Sequence, residues 1–253
     1  MTTPILITND DGYDAFGLEV LTTVVAVHEG YSPTVMAPMR DQSGKGQAIS
    51  LRPFSVRPHV LARAERALVV DGTPTDCVRL ALTAQLTPPP ALVLSGINQG
   101  WNLGSALYSS GTVGAAREAA VHHVPAIAWS GPREASWDLL FPMIDRFFGT
   151  WIAWVLAHPG SYLSINLPQR PAAEWTWTRP MLVEPPKYRT GQSPSGDLTV
   201  EWTYDPAIAE APADTDAAVV HRDVISVTAL RPDAALPVTE TAPAVTILRQ
   251  QHG

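Results

Sequence analysis

The stretch PILITNDDG, residues 4–12, decides the fold of this chain. It opens with an apolar run, and the Asn, Asp and Gly that close the run predict a buried strand ending in a tight turn. After the turn, Leu18, Leu21 and Val25 recur at the spacing of one helix face, and Gly30 stands where a helix commonly stops. The stretch therefore predicts a strand, a turn and a helix, which is the opening of an α/β fold.

Two carboxylates, Asp10 and Asp11, follow directly after this strand. Open α/β sheets bind their ligands at the carboxyl ends of the strands. Two adjacent like charges are unfavourable unless a positive group neutralises them. A divalent metal ion does so, because Mg²⁺ and Mn²⁺ prefer carboxylate, hydroxyl, amide and water oxygens. Asp-Asp-Gly is also ordinary turn chemistry, so a metal site and a plain turn both stay open for this tripeptide alone.

The composition predicts a cytoplasmic protein with a sizeable core. The 253 residues are 45% hydrophobic, and no apolar run approaches the ~18 residues of a membrane helix. The first residues carry no basic segment, so they predict a strand and not a signal peptide. The single cysteine, Cys77, excludes an intramolecular disulfide and fits a reducing compartment. A net charge of −7 argues against binding to a nucleic-acid backbone, which needs clustered Lys and Arg.

Two further polar segments lie near predicted strand ends. Residues 38–50, PMRDQSGKGQAIS, follow the strand predicted at 34–37. If that strand is parallel to the first, the segment lies at the same edge as the Asp-Asp-Gly turn, although a solvated surface loop fits the same residues. Thr73, Pro74 and Asp76 have the order of an N-cap, a first helical position and a capping box, which predicts a helix start. Cys77 in that helix is interpreted as a buried packing residue, because no basic group nearby activates it.

The longest glycine-rich segment follows an apolar strand predicted at 91–95. It reads SGINQGWNLGSALYSSGTVGAAREAA, residues 95–120, and its glycines let the backbone approach a ligand closely. Ser110, Gly111 and Thr112 lead into a helix, whose free N–H groups and positive dipole end suit a phosphate. The segment lacks the Gly-Lys-Ser/Thr order of a Walker motif, and the first strand-turn has DDG in place of the dinucleotide fingerprint GxGxxG.

Strands alternate with helical patterns through the first two thirds of the chain. This alternation predicts a doubly wound, mainly parallel sheet. Further strands are predicted at 126–129 and 162–166, with a long amphipathic helix over 137–158 between them. The tryptophans of that helix, Trp151 and Trp154, are interpreted as core residues and not as a stacking platform.

The last third of the chain, residues 170–253, is rich in proline and carries three predicted strands. These strands cover residues 174–183, 199–203 and 224–230. A flexible loop over 189–197 joins the first two, as in a hairpin. We therefore divide the chain into a catalytic core, 1–169, and a C-terminal extension that packs on the core and serves oligomerisation.

The polar segments at the predicted strand ends, in this order, resemble the SurE family (survival protein E), metal-dependent nucleoside monophosphate phosphatases. The segments that carry the resemblance are ILITNDDG, APMRDQSG, GTPTDC, SGINQGWNLG and YSSGTV. SYLSINLP and DAAVVHRDVISVTAL also resemble family segments, so the resemblance covers most of residues 4–230. It implies a Rossmann-like α/β core with a C-terminal extension that exchanges hairpins between the subunits of a dimer or tetramer.

The resemblance also implies a set of site residues. Those that match the family's ligands for one divalent cation, Mg²⁺ or Mn²⁺, are Asp10, Asp11, Ser43 and Asn98. Those that match the surroundings of the bound phosphate are Asn102, Ser110, Gly111 and Thr112. In this interpretation Asp10 or Asp11 holds or deprotonates a water, and Asn98 stabilises the phosphoryl oxygens; which Asp is the base stays open. The implied activity releases phosphate from nucleoside 5′- or 3′-monophosphates, and some members also act on short polyphosphate.

The rim of the implied site departs from the family pattern. Ser105 and Ala106 replace two acids, and Ser109 precedes the Ser-Gly-Thr turn where the family has tyrosine. This rim keeps open a second hypothesis, a metal- and phosphate-binding protein with an altered substrate or little turnover. A third hypothesis, a phosphatase of the haloacid-dehalogenase type, is disfavoured because that type separates its two Asp by one residue, whereas Asp10 and Asp11 are adjacent. The expected partner is a nucleoside monophosphate or another small phosphoester, with no nucleic acid and no membrane.

Overall fold

A computed structural model describes residues 2–181, 187–203 and 211–233 of the chain. The strands, in chain order, are β1 Thr3–Thr8, β2 Tyr31–Pro38, β3 Val56–His59, β4 Arg66–Val70, β5 Leu92–Gln99, β6 Ala126–Gly131, β7 Tyr162–Asn166, β8 Trp175–Trp177, β9 Lys187–Gln192, β10 Leu198–Thr203 and β11 Ile225–Leu230. The helices are α1 Phe16–Val27, α2 Pro74–Thr83, α3 Gly111–Val121, α4 Trp137–Ala157 and α5 Asp216–Val220, with a 3₁₀ turn at Gly104–Tyr108.

A nine-stranded sheet organises the fold, in the order β3-β4-β2-β1-β5-β6-β7-β11-β8. All neighbours from β4 to β7 are parallel, whereas β3 runs antiparallel to β4 and β11 runs antiparallel to β7. The chain builds the sheet from β1 in one direction and then, from β5, in the other. Such a reversal leaves a crevice at the carboxyl ends of β1 and β5, where ligands bind. The predicted Rossmann-like, doubly wound sheet is confirmed.

Helices cover both faces of the parallel strands, which explains why those strands are continuous apolar runs. Ile5 and Ile7 of β1 point into the core that contains α1 and α4. Leu6, between them, points into the core that contains α2 and α3. Successive side chains of a strand face opposite sides, so this one tripeptide joins both cores.

The start of α2 agrees with the predicted capping box. Thr73 is the N-cap, and its hydroxyl accepts from the Asp76 N–H at 3.1 Å while the Thr73 N–H donates to the Asp76 carboxylate at 2.9 Å. Pro74 takes the first helical position. Cys77 is fully buried, and burial raises the pKa of its thiol. A neutral buried thiol is a packing residue and a poor nucleophile, as predicted.

Among the helices of the described ranges, α4 is long and apolar enough to cross a membrane when judged by its 21 residues and its mean hydropathy of 1.3. Its side chains Ile144, Phe148 and Trp151 are buried in the core against the sheet, and Trp154 is partly buried there. The core helix of a globular protein passes the same test of length and composition, so the test is weak support for a membrane span. The interpretation of Trp151 as a core residue is confirmed.

The predicted pairing of the C-terminal hairpin was wrong. The partner of β10 is β9, in an antiparallel ladder, and not the strand predicted at 174–183. Only Trp175–Trp177 of that segment is strand, and residues 182 and 183 lie outside the described residues. The first half of the predicted loop 189–197 is strand, because the Ser-Pro-Ser-Gly sequence ending at Gly196 supplies the whole turn.

Two C-terminal strands, β8 and β11, complete the main sheet beyond β7. The β9–β10 hairpin, by contrast, forms a separate two-stranded sheet within the described part of the chain. The division into a core, 1–169, and an extension, 170–253, stays a prediction.

Three segments meet at the buried carboxylate of Glu118 on α3. Arg79 of α2 and Gln47 of the 38–50 loop each donate to it at 2.6 Å, and His122 lies 3.2 Å away. Burial raises the pKa of Glu118, but the hydrogen bonds from Arg79 and Gln47 outweigh burial and hold the pKa below its ordinary value. Glu118 therefore ties the 38–50 loop to two helices.

Replacing Glu118 by glutamine is expected to destabilise the protein by about 1–2 kcal/mol at pH 7, because charged hydrogen bonds are lost and Arg79 is half exposed. A carboxylate with a lowered pKa stabilises the fold above its ordinary pKa of 4.5, and that stabilisation disappears as the pH falls through the lowered value. Urea unfolding at pH 7 and pH 3 should thus show a difference between variant and wild type that shrinks in acid. Glu134→Gln, at an exposed position, is the control. An equal loss of unfolding free energy by Glu118→Gln at both pH values would contradict the role of the ionised Glu118 carboxylate.

Candidate functional site

The turn after β1 places two carboxylates at the edge of the sheet. The Asn9 side chain donates to the Gly12 carbonyl at 2.7 Å and closes the turn. Gly12 has a φ of 110°, which favours glycine. Asp10 is buried and Asp11 is half-buried. The strand and turn predicted from residues 4–12 are confirmed, and the turn holds both carboxylates at one end of the sheet.

The start of α3 packs directly against Asp10. The Thr112 hydroxyl donates to the Asp10 carboxylate. A side chain on Gly111 would collide with Asp10, since an added Cβ would lie 2.8 Å from the Asp10 Cβ. The Gln42 N–H donates to the Asp10 carbonyl at 2.7 Å, so the 38–50 loop is tied to the same point. Gly111 and Thr112 thus position Asp10.

The two adjacent carboxylates have raised pKa values. Burial is the main cause at Asp10, and a hydrogen bond from Thr112 offsets part of it. Burial, and then the charge of Asp10, raise the pKa of Asp11 to about 6. The Gln99 N–H donates to Asp11 at 3.2 Å, a contact that lowers its pKa. Because both carboxylates resist ionisation together, a bound cation would stabilise their charged forms.

Ser43 is oriented by a residue that sequence reasoning missed. The Asp41 carboxylate accepts from the Ser43 N–H at 2.7 Å and from the Ser43 hydroxyl at 2.5 Å. Because the Ser43 hydroxyl donates its proton to Asp41, the lone pairs of its oxygen remain available to bind a cation. The signal that could have found Asp41 is its position two residues before a serine in a polar loop, which is typical of an Asx turn.

Asn98 is turned toward the site by an irregularity in β5. The pairing of β5 with β6 shifts register between Ser95 and Asn98. Gly96 makes this possible, because a Cβ there would lie 2.4 Å from the Trp129 carbonyl oxygen. The Asn98 side-chain nitrogen donates to the Gly100 carbonyl at 2.7 Å, so the amide oxygen is the atom left for a cation. Bulges next to a site commonly re-aim a side chain in this way.

Asn102 is held by the ends of two neighbouring strands. Its N–H donates to the Asn166 side-chain oxygen at 3.0 Å, and its side-chain nitrogen donates to the Ser130 hydroxyl at 2.9 Å. Ser110 is the N-cap of α3 and accepts from the Val113 N–H at 3.1 Å. Both residues are nearly buried, so their positions are set by packing.

An open cleft of about 1200 Å³ lies at the carboxyl ends of β1 and β5. The predicted site residues that line it are Asp10, Asp11, Ser43, Asn98, Asn102 and Ser110. Gly111 and Thr112 do not line it and lie behind Asp10. Sequence reasoning missed Trp101, Arg133 and Tyr188, which also line the cleft. Of these, Arg133 could have been found, because it closely follows a predicted strand end.

The donor set of the cleft suits a hard cation. The described residues contain no cluster of three or more His, Cys, Asp or Glu side chains. The site offers instead the carboxylates of Asp10 and Asp11 with the hydroxyl of Ser43 and the amide oxygen of Asn98. Oxygen ligands of this kind fit Mg²⁺ or Mn²⁺, whose shells are commonly completed by water and substrate. The residues present therefore fit the implied metal.

The fold and the site define a Rossmann-like α/β protein with an acidic, oxygen-lined cleft at the switch point of its sheet. Within that class the chain belongs to the SurE family, whose model, described as "Survival protein SurE", matches residues 5–184. The chain is 38% identical over 234 residues to the 5′-nucleotidase SurE of Carboxydothermus hydrogenoformans, covering 88% of each chain. It is 38% identical over 239 residues to the 5′-nucleotidase SurE of Solidesulfovibrio magneticus, covering 90% of this chain and 91% of that one.

A solved structure agrees with the family assignment. The crystal structure of the SurE protein from Aquifex aeolicus superposes with a TM-score of 0.75 at 29% identity, over 92% of this chain and 94% of that one. The resemblance carried by the sequence motifs is therefore confirmed.

Proposed function

We propose that this chain is a metal-dependent phosphomonoesterase that releases phosphate from nucleoside 5′- and 3′-monophosphates. The observation that carries the proposal is the convergence of two adjacent carboxylates with a hydroxyl and an amide oxygen on one cleft at the switch point of the sheet. Family membership supports it, since the relatives from Carboxydothermus hydrogenoformans and Solidesulfovibrio magneticus are named 5′-nucleotidases.

The metal ligands in this proposal are Asp10, Asp11, Ser43 and Asn98, which would hold one Mg²⁺ or Mn²⁺. A cation bound there supplies charge for the phosphoryl oxygens and acidity for a water. Asp10 is fixed by Thr112, whereas Asp11 accepts only from the Gln99 N–H among the described residues. We therefore propose that Asp11 is the general base, which accepts the proton of the attacking water. Asn102 and Ser110, which line the same cleft, would contact the phosphate oxygens.

The second candidate function is a binding protein that retains metal and phosphate sites but turns over slowly. Ser105, Ala106 and Ser109 line the cleft, where the resemblance led us to expect acids and a tyrosine. An altered rim changes substrate contacts without touching the carboxylates.

The deciding experiment is an assay of the purified protein with a panel of nucleoside monophosphates and Mg²⁺ or Mn²⁺. We expect metal-dependent phosphate release. Calorimetry on the same samples measures metal and nucleotide binding. No release above background with the metal bound would refute the proposal, and nucleotide binding without product would favour the binding protein.

Replacing Gly111 by alanine should disturb the site while leaving the fold intact. The added Cβ would lie 2.8 Å from the Asp10 Cβ and 2.9 Å from its carboxylate, so Asp10 must move. A misplacement of about 1 Å costs about 10²-fold in rate. Gly149→Ala on α4 is the matched control, because nothing lies within 4 Å of the added Cβ and a helical Gly→Ala change stabilises by about 1 kcal/mol. If phosphate release by both variants equalled that of wild type, the packing of α3 on Asp10 would not serve activity.

We further propose that the protein acts in the cytoplasm as a homodimer or homotetramer, on small phosphoesters and not on nucleic acid or membranes. Its single cysteine is buried, and its net charge of −7 disfavours polyanionic partners. The β9–β10 hairpin, which pairs with no other strand of the described chain, supports an assembly of subunits.

A further inference from the structure

Arg133 brings a positive charge to the cleft. It lies two residues beyond the end of β6, is exposed and lines the cleft. Its Cγ lies 4.0 Å from the position that a Cβ on Gly100 would take, and that position lies 3.9 Å from the Asn98 side-chain nitrogen. The stem of Arg133 therefore runs alongside the strand end that carries Asn98.

The charge of Arg133 has no ion-pair partner within the part of the chain that the structure describes. Among the described residues that line the cleft, the carboxylates are Asp10 and Asp11 and the only cation is Arg133. The rim positions Ser105 and Ala106 are neutral, so they do not repel an anion that enters there. A guanidinium that faces such a cleft is suited to a phosphate, which it binds through two parallel hydrogen bonds.

The position of Arg133 separates it from the first phosphate. β6 is two strands away from β1 in the sheet, and neighbouring strands lie about 4.8 Å apart. The backbone that carries Arg133 is thus displaced by roughly 10 Å, across β5, from the wall at the end of β1 that carries Asp10. A cleft of about 1200 Å³ has room for a whole nucleotide between the two walls.

We infer that Arg133 binds a second phosphate of the substrate, so that the cleft prefers nucleotides with two separate phosphates, such as nucleoside 3′,5′-bisphosphates, over monophosphates. This inference rests on the proposed phosphomonoesterase function. The scissile phosphate lies at Asp10 and Asp11, and Arg133 holds the other phosphate across the sugar. Arg133 is a specificity-determining residue that contacts substrate away from the reacting atoms.

The test compares adenosine 3′,5′-bisphosphate with adenosine 5′-monophosphate in wild type, Arg133→Gln and Arg133→Lys. Arg57→Gln, an exposed arginine on β3 outside the cleft, is the matched control. Two quantities are measured: kcat/KM with metal, and the dissociation constant by calorimetry without added metal, where hydrolysis stops. A charged hydrogen-bond pair is worth about tenfold to hundredfold in affinity.

We expect Arg133→Gln to lower both quantities tenfold to hundredfold for the bisphosphate and to change the monophosphate by less than about twofold. Arg133→Lys should keep part of the preference, and Arg57→Gln should change nothing. An equal loss on both ligands would overturn the inference, as would no loss on either. The two phosphates of adenosine diphosphate are adjacent, so neither its kcat/KM nor its affinity should change in Arg133→Gln. A tenfold to hundredfold loss with adenosine diphosphate as well would refute the placement of Arg133 across the sugar from the scissile phosphate. If no nucleotide is hydrolysed, the proposed function fails, and calorimetry still decides the role of Arg133.

Discussion

Phosphate release falls by about 10³-fold or more when Asp10 is replaced by asparagine, which is the largest catalytic effect that we expect. In the described ranges of the chain, Asp10 and Asp11 supply the only carboxylates that line the cleft. The affinity of an oxygen site for a divalent cation depends on the charge of its ligands. The loss of one charge therefore weakens the binding of the metal and, with it, the binding of the phosphate. Asp11→Asn should have a comparable effect, because it removes the same charge and the group to which we assign the water's proton.

The Asp10→Asn variant should still fold, because the carboxylate is not a source of stability without a cation. Its pKa is raised, which means that the folded state favours its neutral form and that the ionised form destabilises the fold at neutral pH. Asparagine resembles the neutral form and can still accept from the Thr112 hydroxyl through its amide oxygen. Relief of repulsion from Asp11 then offsets the weaker turn contacts.

The measurements that test this prediction are phosphate release, Mn²⁺ affinity by calorimetry and thermal unfolding without metal. Asp14→Asn is the matched control, since Asp14 is an exposed carboxylate in the same loop that does not line the cleft. Asp14→Asn should behave like wild type. A variant at Asp10 that unfolds while retaining metal affinity would show that the carboxylate is structural, and the site assignment would then be wrong.

The parts of the fold that the sequence predicted are those set by neighbouring residues. The strand and turn of residues 4–12, the capping box of Thr73 and Asp76, and the helix that follows Ser110 each depend on side chains within three residues. The doubly wound order followed from the alternation of strands and helices. The edge at which the polar segments converge followed from the same order, since parallel strands end on one side.

The parts that the sequence did not predict depend on residues distant in the chain. Asn98 is aimed into the cleft by a bulge that needs Gly96 to pack against Trp129 of the neighbouring strand. Arg133 and Tyr188 reach the cleft through the sheet order and the C-terminal hairpin. The predicted strand end shortly before Arg133 was a usable signal, whereas no local pattern indicates Tyr188. The hairpin partner was missed for the same reason, because Lys187–Gln192 is polar and becomes a strand only by pairing with β10.

The second large effect concerns assembly, and it starts from the exposed apolar side chains of the β9–β10 hairpin. Leu198 is 71% exposed, Val200 is 59% exposed and Tyr188 is 68% exposed. Isolated two-stranded hairpins are marginal in water. A hairpin that packs on a neighbouring subunit buries these side chains, and exchange between identical chains is a low-cost route to a symmetric dimer. We propose that the protein is at least a homodimer, with the arm around residues 186–204 crossing between chains.

Deletion of residues 187–203 is expected to convert the dimer to a monomer, measured by light scattering at micromolar concentration. A subtler pair of variants uses the alternation of β10, in which Leu198 and Val200 share one face and Thr199 lies on the other. Leu198→Lys places a charge in the proposed contact and should weaken the dimer, whereas Thr199→Lys adds the same charge on the opposite face and should not. A monomeric full-length protein would refute the proposal. A dimer that survives both the deletion and Leu198→Lys would show that the subunits associate through another surface, because the apolar face of Leu198 and Val200 would then be absent or charged.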